Sequence, residues 1–201
     1  MNHSQLAHQL NEKFAFIELE ERLGLIAGHA PDAVFTTSLG MEDQVLTWAI
    51  AKTGLPISIA TLQTGRLFPE TLSLLHSTRE KYGVEITEFT PDNQKVMKYV
   101  QQFGRDGFYQ SVEARKACCT IRKVIPLNAA LAGADGWVTG IRRQSSNNRN
   151  SVDFVEWDAE RGLLKFNPLA DWSADQIKAS VEANDIPINA LHARGYPSIG
   201  C

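Results

Sequence analysis

The chain has 201 residues, 43% of them hydrophobic and 21% charged, with a formal net charge of −3. That length buries a full core and suits a single domain over residues 1–201. Slight acidity argues against a general nucleic-acid binder, whose surface is basic, and leaves room for a small anion held in a local basic pocket. No apolar run reaches the length of a membrane span, and the polar start Met1–Glu12 lacks a signal-peptide stretch. Three cysteines make an odd count, so a reducing cytoplasm without a disulfide framework is expected.

In chain order, Leu6, Leu10, Phe14, Ile17, Leu19 and Leu23 recur at helical spacing, which predicts one or two amphipathic helices over 4–28, ended by Gly28 and Pro31. A short buried strand at Ala33–Thr37 runs into the turn Ser38–Asp43 and a helix marked by Val45, Leu46, Trp48, Ala49 and Ile50. Residues 57–62 form a second strand ending in Gln63-Thr64-Gly65-Arg66, and Pro69 opens a helix through Tyr82. Val84–Phe89 is a third strand, and Asp92 caps the next helix. Residues 104–117, rich in glycine and charge, read as an irregular loop before a helix from Cys118 to Leu131 and a fourth strand at Gly136–Thr139. A polar, basic loop spans Gly140–Arg149, and a hairpin joins Val152–Trp157 to Leu163–Phe166. Ser173 caps a last helix through Ala183, and Pro187–Cys201 reads as mostly loop.

Strands alternating with helices predict an α/β fold, an open, mainly parallel twisted sheet with helices on both faces. Ligands of such sheets sit beyond the carboxyl ends of the strands, at the switch point. Three polar clusters fall on that rim: Ser38–Asp43, Thr64–Arg66 and Gly140–Arg149.

Strand, small polar turn and helix at Ser38–Asp43 is the geometry that brings backbone N–H groups to a phosphate. The Gly-Lys-Ser/Thr ending of a Walker loop is missing, and alone the pattern is equally that of an ordinary strand-to-helix junction. Arg142, Arg143 and Arg149 offer planar forks for a phosphate or sulfate, or else a solvated basic loop. His76 and His192 read as structural or surface histidines, and Trp137, Trp157 and Trp172 as core or hairpin residues. Cys118 and Cys119 are adjacent, and neighbouring cysteines rarely bond to each other. With Arg122 and Lys123 behind them they suggest thiolates stabilised by positive charge, the donors that zinc or an iron–sulfur centre needs. The plainer alternative is a pair of small buried hydrophobes. Cys119 and Lys123, four residues apart, share one face of a helix.

Together, Thr37–Asp43, Thr64–Thr71, Cys118–Lys123, Thr139–Arg143, Lys165–Leu169 and Leu191–Cys201 resemble the assimilatory sulfonucleotide reductases. The likeness is to the iron–sulfur type that reduces adenosine 5′-phosphosulfate (APS), and it covers nearly the whole chain from residue 34. Paired cysteines far upstream of a third are its most diagnostic part, since relatives that reduce the 3′-phosphorylated substrate (PAPS) without a cluster lack them.

The resemblance implies a sheet like that of the adenine-nucleotide hydrolases of the ATP-pyrophosphatase type. It places Ser38 and Gly40 at a phosphosulfate-side loop and Thr64, Gly65 and Arg66 near the nucleotide, with Lys123, Arg142 and Arg143 neutralising the phosphosulfate. It makes Cys118, Cys119 and Cys201 three ligands of a [4Fe–4S] cluster with an electrostatic or organising role. The implied reaction takes APS to sulfite and AMP in cysteine biosynthesis: a cysteine thiolate attacks the substrate sulfur, and thioredoxin releases sulfite. The family's Cys-x-x-Cys begins at Cys201, so the fourth ligand, and the nucleophile in a Glu-Cys-Gly-Leu-His tail, are expected beyond the chain end. Gln63 stands where the family usually has Asp, and Ser145 where it usually has Gln. PAPS or dual specificity, an ATP pyrophosphatase or sulfur transferase, and a zinc- or nucleotide-binding module are the alternatives. Of these, the ATP enzymes are disfavoured by the missing Ser-Gly-Gly-x-Asp-Ser loop. A homo-oligomer is left open.

Overall fold

The computed structural model describes residues 3–143, 152–196 and 198–200. Helices α1 (His3–Phe14) and α2 (Leu19–His29) precede the sheet. Then β1 (Val34–Thr37), α3 (Met41–Thr53), β2 (Ser58–Leu62), α4 (Pro69–Tyr82), β3 (Ile86–Phe89) and α5 (Asn93–Phe103) alternate as the pattern predicts. Helices α3 and α4 stop at Gly54 and Gly83, with φ of 63° and 62°, a left-handed conformation that glycine adopts without a Cβ clash.

After α5 the chain departs from expectation. Residues 104–117 are not an irregular loop throughout: a 3₁₀ turn at Gly107–Tyr109 leads to Ser111, whose hydroxyl accepts the Ala114 N–H at 3.0 Å and opens α6 (Val112–Cys119). The paired cysteines therefore close a helix instead of starting one. Over Thr120–Val124 the coil widens to a π turn, with Ile125 N–H reaching the Thr120 carbonyl, and α7 (Ile125–Ala130) follows.

Strands β4 (Gly136–Val138), β5 (Val155–Asp158) and β6 (Leu163–Phe166) and helix α8 (Ala174–Ala183) complete the set. Ser173 and Gln176 cap α8 reciprocally. Strands β3 and β5 begin two or three residues later than the apolar pattern suggests, and a 3₁₀ turn at Ala190–Arg194 interrupts the expected C-terminal loop.

The sheet order is β3-β2-β1-β4-β6-β5, parallel except for β5, which runs antiparallel to β6. Register aligns Ile86, Ile59, Phe35, Val138, Phe166 and Val155 in one row across all six strands, and every one is buried. Against this row pack Phe14, Leu23, Leu46, Leu75 and Ile177 from α1, α2, α3, α4 and α8. The opposite row, Val34, Trp137, Lys165 and Glu156, is only half-buried, and α7 covers the β2–β3 side of that face. Helices occupy both faces as expected, but the large core lies on one. Asn11 of α1 bonds both the carbonyl (2.8 Å) and the N–H (3.0 Å) of Val155, so the open edge of β5 is satisfied within the fold at that residue.

Candidate active site at the strand ends

Strands β1, β2 and β4 are parallel, so the loops after them share one rim. The chain leaves β1 toward β2 on one side and returns later as β4 on the other, which makes the β1–β4 crevice the switch point. A threonine shapes each of the three loops: Thr37, Thr64 and Thr139 accept the N–H two residues on, from Leu39 (3.0 Å), Arg66 (3.2 Å) and Ile141 (3.4 Å). Such hydroxyl turns fix a loop where the strand ladder ends.

In the first loop Leu39 is buried with φ 63°, a costly conformation for a branched side chain that only a well-packed surrounding holds. Gly40 is the N-cap of α3, and no side chain caps that helix, so its first amides are open to the rim. Ser38 is exposed, yet its N–H and its hydroxyl both donate to Asp43 Oδ2, each at 2.6 Å. Burial pushes the Asp43 carboxyl up to about 6, against the pull of the two Ser38 bonds. Gly140 of the β4 loop lies directly on this carboxylate, where a Cβ would collide with Asp43 and stand 3.2 Å from the Glu42 Cβ. The neighbouring Glu42 takes Arg142 Nε at 2.9 Å and Nη2 at 2.7 Å. The loops after β1 and β4 are thus joined across the crevice.

Beyond β2, Thr64 is buried and Gly65 has φ 72°. Arg66 pairs with Asp106, and its guanidinium lies 5.0 Å from the centre of the Phe108 ring. The helical run that carries the cysteines meets this loop through Arg122, itself buried, whose Nη1 donates to the Thr64 carbonyl at 2.6 Å. A Cβ on Gly65 would stand 3.2 Å from that nitrogen. Cys118 is half-buried, Cys119 is exposed, and both are free thiols. Burial, and after it the adjacent Cys118 thiol, push the Tyr99 phenol of α5 above its ordinary value.

The cations expected at the rim divide into two kinds. Arg142 is buried and bonded to Glu42 and to the Trp172 carbonyl, and Arg143 donates to the Val152 carbonyl with its guanidinium 4.8 Å from the Phe154 ring centre. Lys123 is half-buried and pairs with no carboxylate among the described residues. Cys201, Ser145 and Arg149 lie outside the described residues. The segment before Cys201 is anchored to the start of α4, where Asn189 donates to Thr71 Oγ1 at 2.9 Å and Arg194 to Glu70 at 3.0 Å. His192 belongs to this strap, its Nδ1 2.9 Å from the Tyr196 carbonyl, while His76 is exposed beside Glu80.

Arg122 and Asp43 are the two residues the spacing did not single out as site residues. Arg122 stood only as a charge behind the cysteines, and Asp43 only as the end of a turn. Their partners, Thr64 and Ser38, come from loop geometry that no local pattern encodes.

Residues 32–201 match the family model described as phosphoadenosine phosphosulfate reductase domain. The chain is 53% identical over 192 residues to the adenosine 5′-phosphosulfate reductase of Agrobacterium fabrum, covering 96% of this chain and 74% of that protein. Its fold superposes on the crystal structure of phosphoadenylyl-sulfate reductase from Candida auris with a TM-score of 0.87 at 24% identity, over all of this chain and 96% of that one. The FMN adenylyltransferase of Candida glabrata shares the sheet more distantly, with a TM-score of 0.59 at 14% identity over 98% of this chain and 64% of the other. The expected adenine-nucleotide hydrolase-like architecture is thereby borne out. With a single family model spanning both the strand-end loops and the cysteine helix, the chain belongs to the sulfonucleotide reductases, the APS/PAPS reductase family.

Proposed function

We propose that this protein, one domain over residues 1–201, reduces adenosine 5′-phosphosulfate to sulfite and AMP in the cytoplasm, with the dithiol of thioredoxin as reductant. The carrying observation is the 2.6 Å bond from Arg122 to the Thr64 carbonyl, which seats the helix of the paired thiols on the rim where a nucleotide binds in such sheets. The 53% identity to a protein named for APS favours that substrate over PAPS.

In this reading the phosphosulfate lies at the Ser38–Met41 turn, where Gly40 leaves the α3 amides open, and Thr64, Gly65 and Arg66 line the nucleotide side. Lys123 neutralises the anion directly. Arg142 and Arg143, engaged by Glu42 and the Val152 carbonyl, contribute their charge while holding the β4 loop. The reaction breaks the bond between the sulfur and its bridging oxygen: a cysteine thiolate takes the sulfonyl group, AMP leaves, and the thioredoxin dithiol then expels sulfite and becomes a disulfide. Two electrons pass from the dithiol to the sulfur, so the step balances without another reductant.

Cys118 and Cys119, soft donors on one half-buried and one exposed position at a helix end, suit a thiolate-bound iron–sulfur cluster, with Cys201 as a third ligand. With Cys118, Cys119 and Cys201 assigned to the cluster, the nucleophilic thiolate of this reading is a cysteine other than these three. When bound, the cluster would supply a polarising charge beside the substrate anion. Lys123, on the same helical run as Cys118 and Cys119, would add a positive charge to that site.

The test is product analysis on the gene product carrying these residues, with reduced thioredoxin and either nucleotide. Equimolar sulfite and AMP from APS, with PAPS much slower, is expected. No sulfite from APS, with all thiols reduced and iron present, refutes the assignment.

A further inference from the structure

Asp43 occupies the third position of α3 but bonds backward past the helix start. Its Oδ2 accepts the N–H and the O–H of Ser38, each at 2.6 Å, and Gly140 closes over the carboxylate from the β4 loop. The charged groups around it are Glu42 on its own helix and Arg142, which reaches Glu42 from the β4 loop. An ionised carboxylate only accepts, so it draws both Ser38 donors inward. A protonated one must place a hydrogen of its own and gives up part of that hold.

We propose that Asp43 is a positioning residue: its ionised carboxylate latches the Ser38 turn in the shape that receives the phosphosulfate, and protonation releases the turn. The proposal rests on the APS reading above and adds a proton-linked control that the reading does not require. Burial raises the Asp43 carboxyl from 3.8 to about 6, so the latch changes state in mildly acidic solution. If only the latched form binds, the observed dissociation constant scales inversely with the ionised fraction, and APS affinity falls about tenfold between about pH 7.5 and pH 5. APS suits this test because its phosphosulfate does not itself titrate in that range, whereas the phosphate of AMP does.

The experiment pairs two readouts across that pH range: the backbone amide resonance of Ser38, and APS affinity by titration calorimetry without reductant. In the wild-type protein the Ser38 amide is expected to titrate with a midpoint near 6, and affinity to follow it. Asp43→Asn should abolish the titration and give a pH-independent affinity weaker than wild type at neutral pH. Ser38→Ala removes one of the bonds that favour the carboxylate, so its amide at position 38 should titrate at higher pH; this variant keeps the test open should Asp43→Asn fold poorly. A Ser38 amide that does not titrate, or pH-flat APS affinity in the wild type, overturns the latch. Absence of APS binding at every pH, with Ser38 still titrating, overturns the substrate reading and the proposal built on it.

Discussion

Replacing Arg122 with alanine removes a tie between the helical run of the cysteines and the loop after β2, a 2.6 Å hydrogen bond from a buried guanidinium to the Thr64 carbonyl. A hydrogen bond from a charged donor contributes about 1.5–3 kcal/mol. A domain of this size loses about 2–4 °C of melting temperature per kcal/mol. Arg122→Ala should therefore melt about 3–12 °C below wild type in a calorimetric scan. Because the bond also holds Thr64 and Gly65 in place, APS affinity should fall by about tenfold, equivalent to about 1.4 kcal/mol. Arg122→Lys, which keeps the charge and loses the planar fork, should fall between the two. A variant that melts lower but binds APS as tightly as wild type would refute the reasoning: helix and loop would then touch without forming one site.

Lys123→Ala should weaken APS binding by tenfold or more and flatten its salt dependence, since a half-buried cation facing an anion contributes about 1.4 kcal/mol or more; Glu20→Ala, whose carboxylate pairs with Lys52 at 2.9 Å on the surface, should leave binding unchanged. Gly140→Ala forces a Cβ onto the Asp43 carboxylate, so overpacking should cost about 1–3 kcal/mol in urea denaturation and weaken APS binding as well. The folded protein holds the Asp43 proton more tightly than the unfolded chain, so this group's contribution is fully present below about pH 4 and is lost as pH rises through about 6. The loss is at most about 3 kcal/mol. Asp43→Asn should remove that pH dependence in urea denaturation, while Arg66 and Lys123 variants keep it. Cys118→Ser should lower the iron and acid-labile sulfide bound per chain while the far-ultraviolet circular dichroism is preserved.

The alternation of strand and helix was legible because its signals are local: apolar runs at Val34–Thr37 and Ser58–Leu62, a proline opening α4, glycines closing α3 and α4, and serine before α8. Helix α6 is poorly legible because only Ala114 of its eight residues is buried, so it carries no apolar stripe and only Ser111 and Glu113 mark its start. The π turn at Thr120–Val124 has no residue type that announces it. At the rim, the right loops were readable from their polar residues, but not how those residues are used. Arg142 meets Glu42 across 100 positions, and Arg143 sits against Phe154, pairings set by tertiary geometry. Ser38 likewise looks like a ligand contact in sequence, whereas its two donors are held by Asp43.

Amide chemical-shift mapping with APS tests most directly whether thiols, cations and strand-end loops serve one ligand. One saturable titration should move the resonances of Ser38–Met41, Thr64–Arg66 and Cys118–Lys123 together, with a shared dissociation constant. Shifts confined to one of those segments, or centred on another face of the sheet, would contradict it.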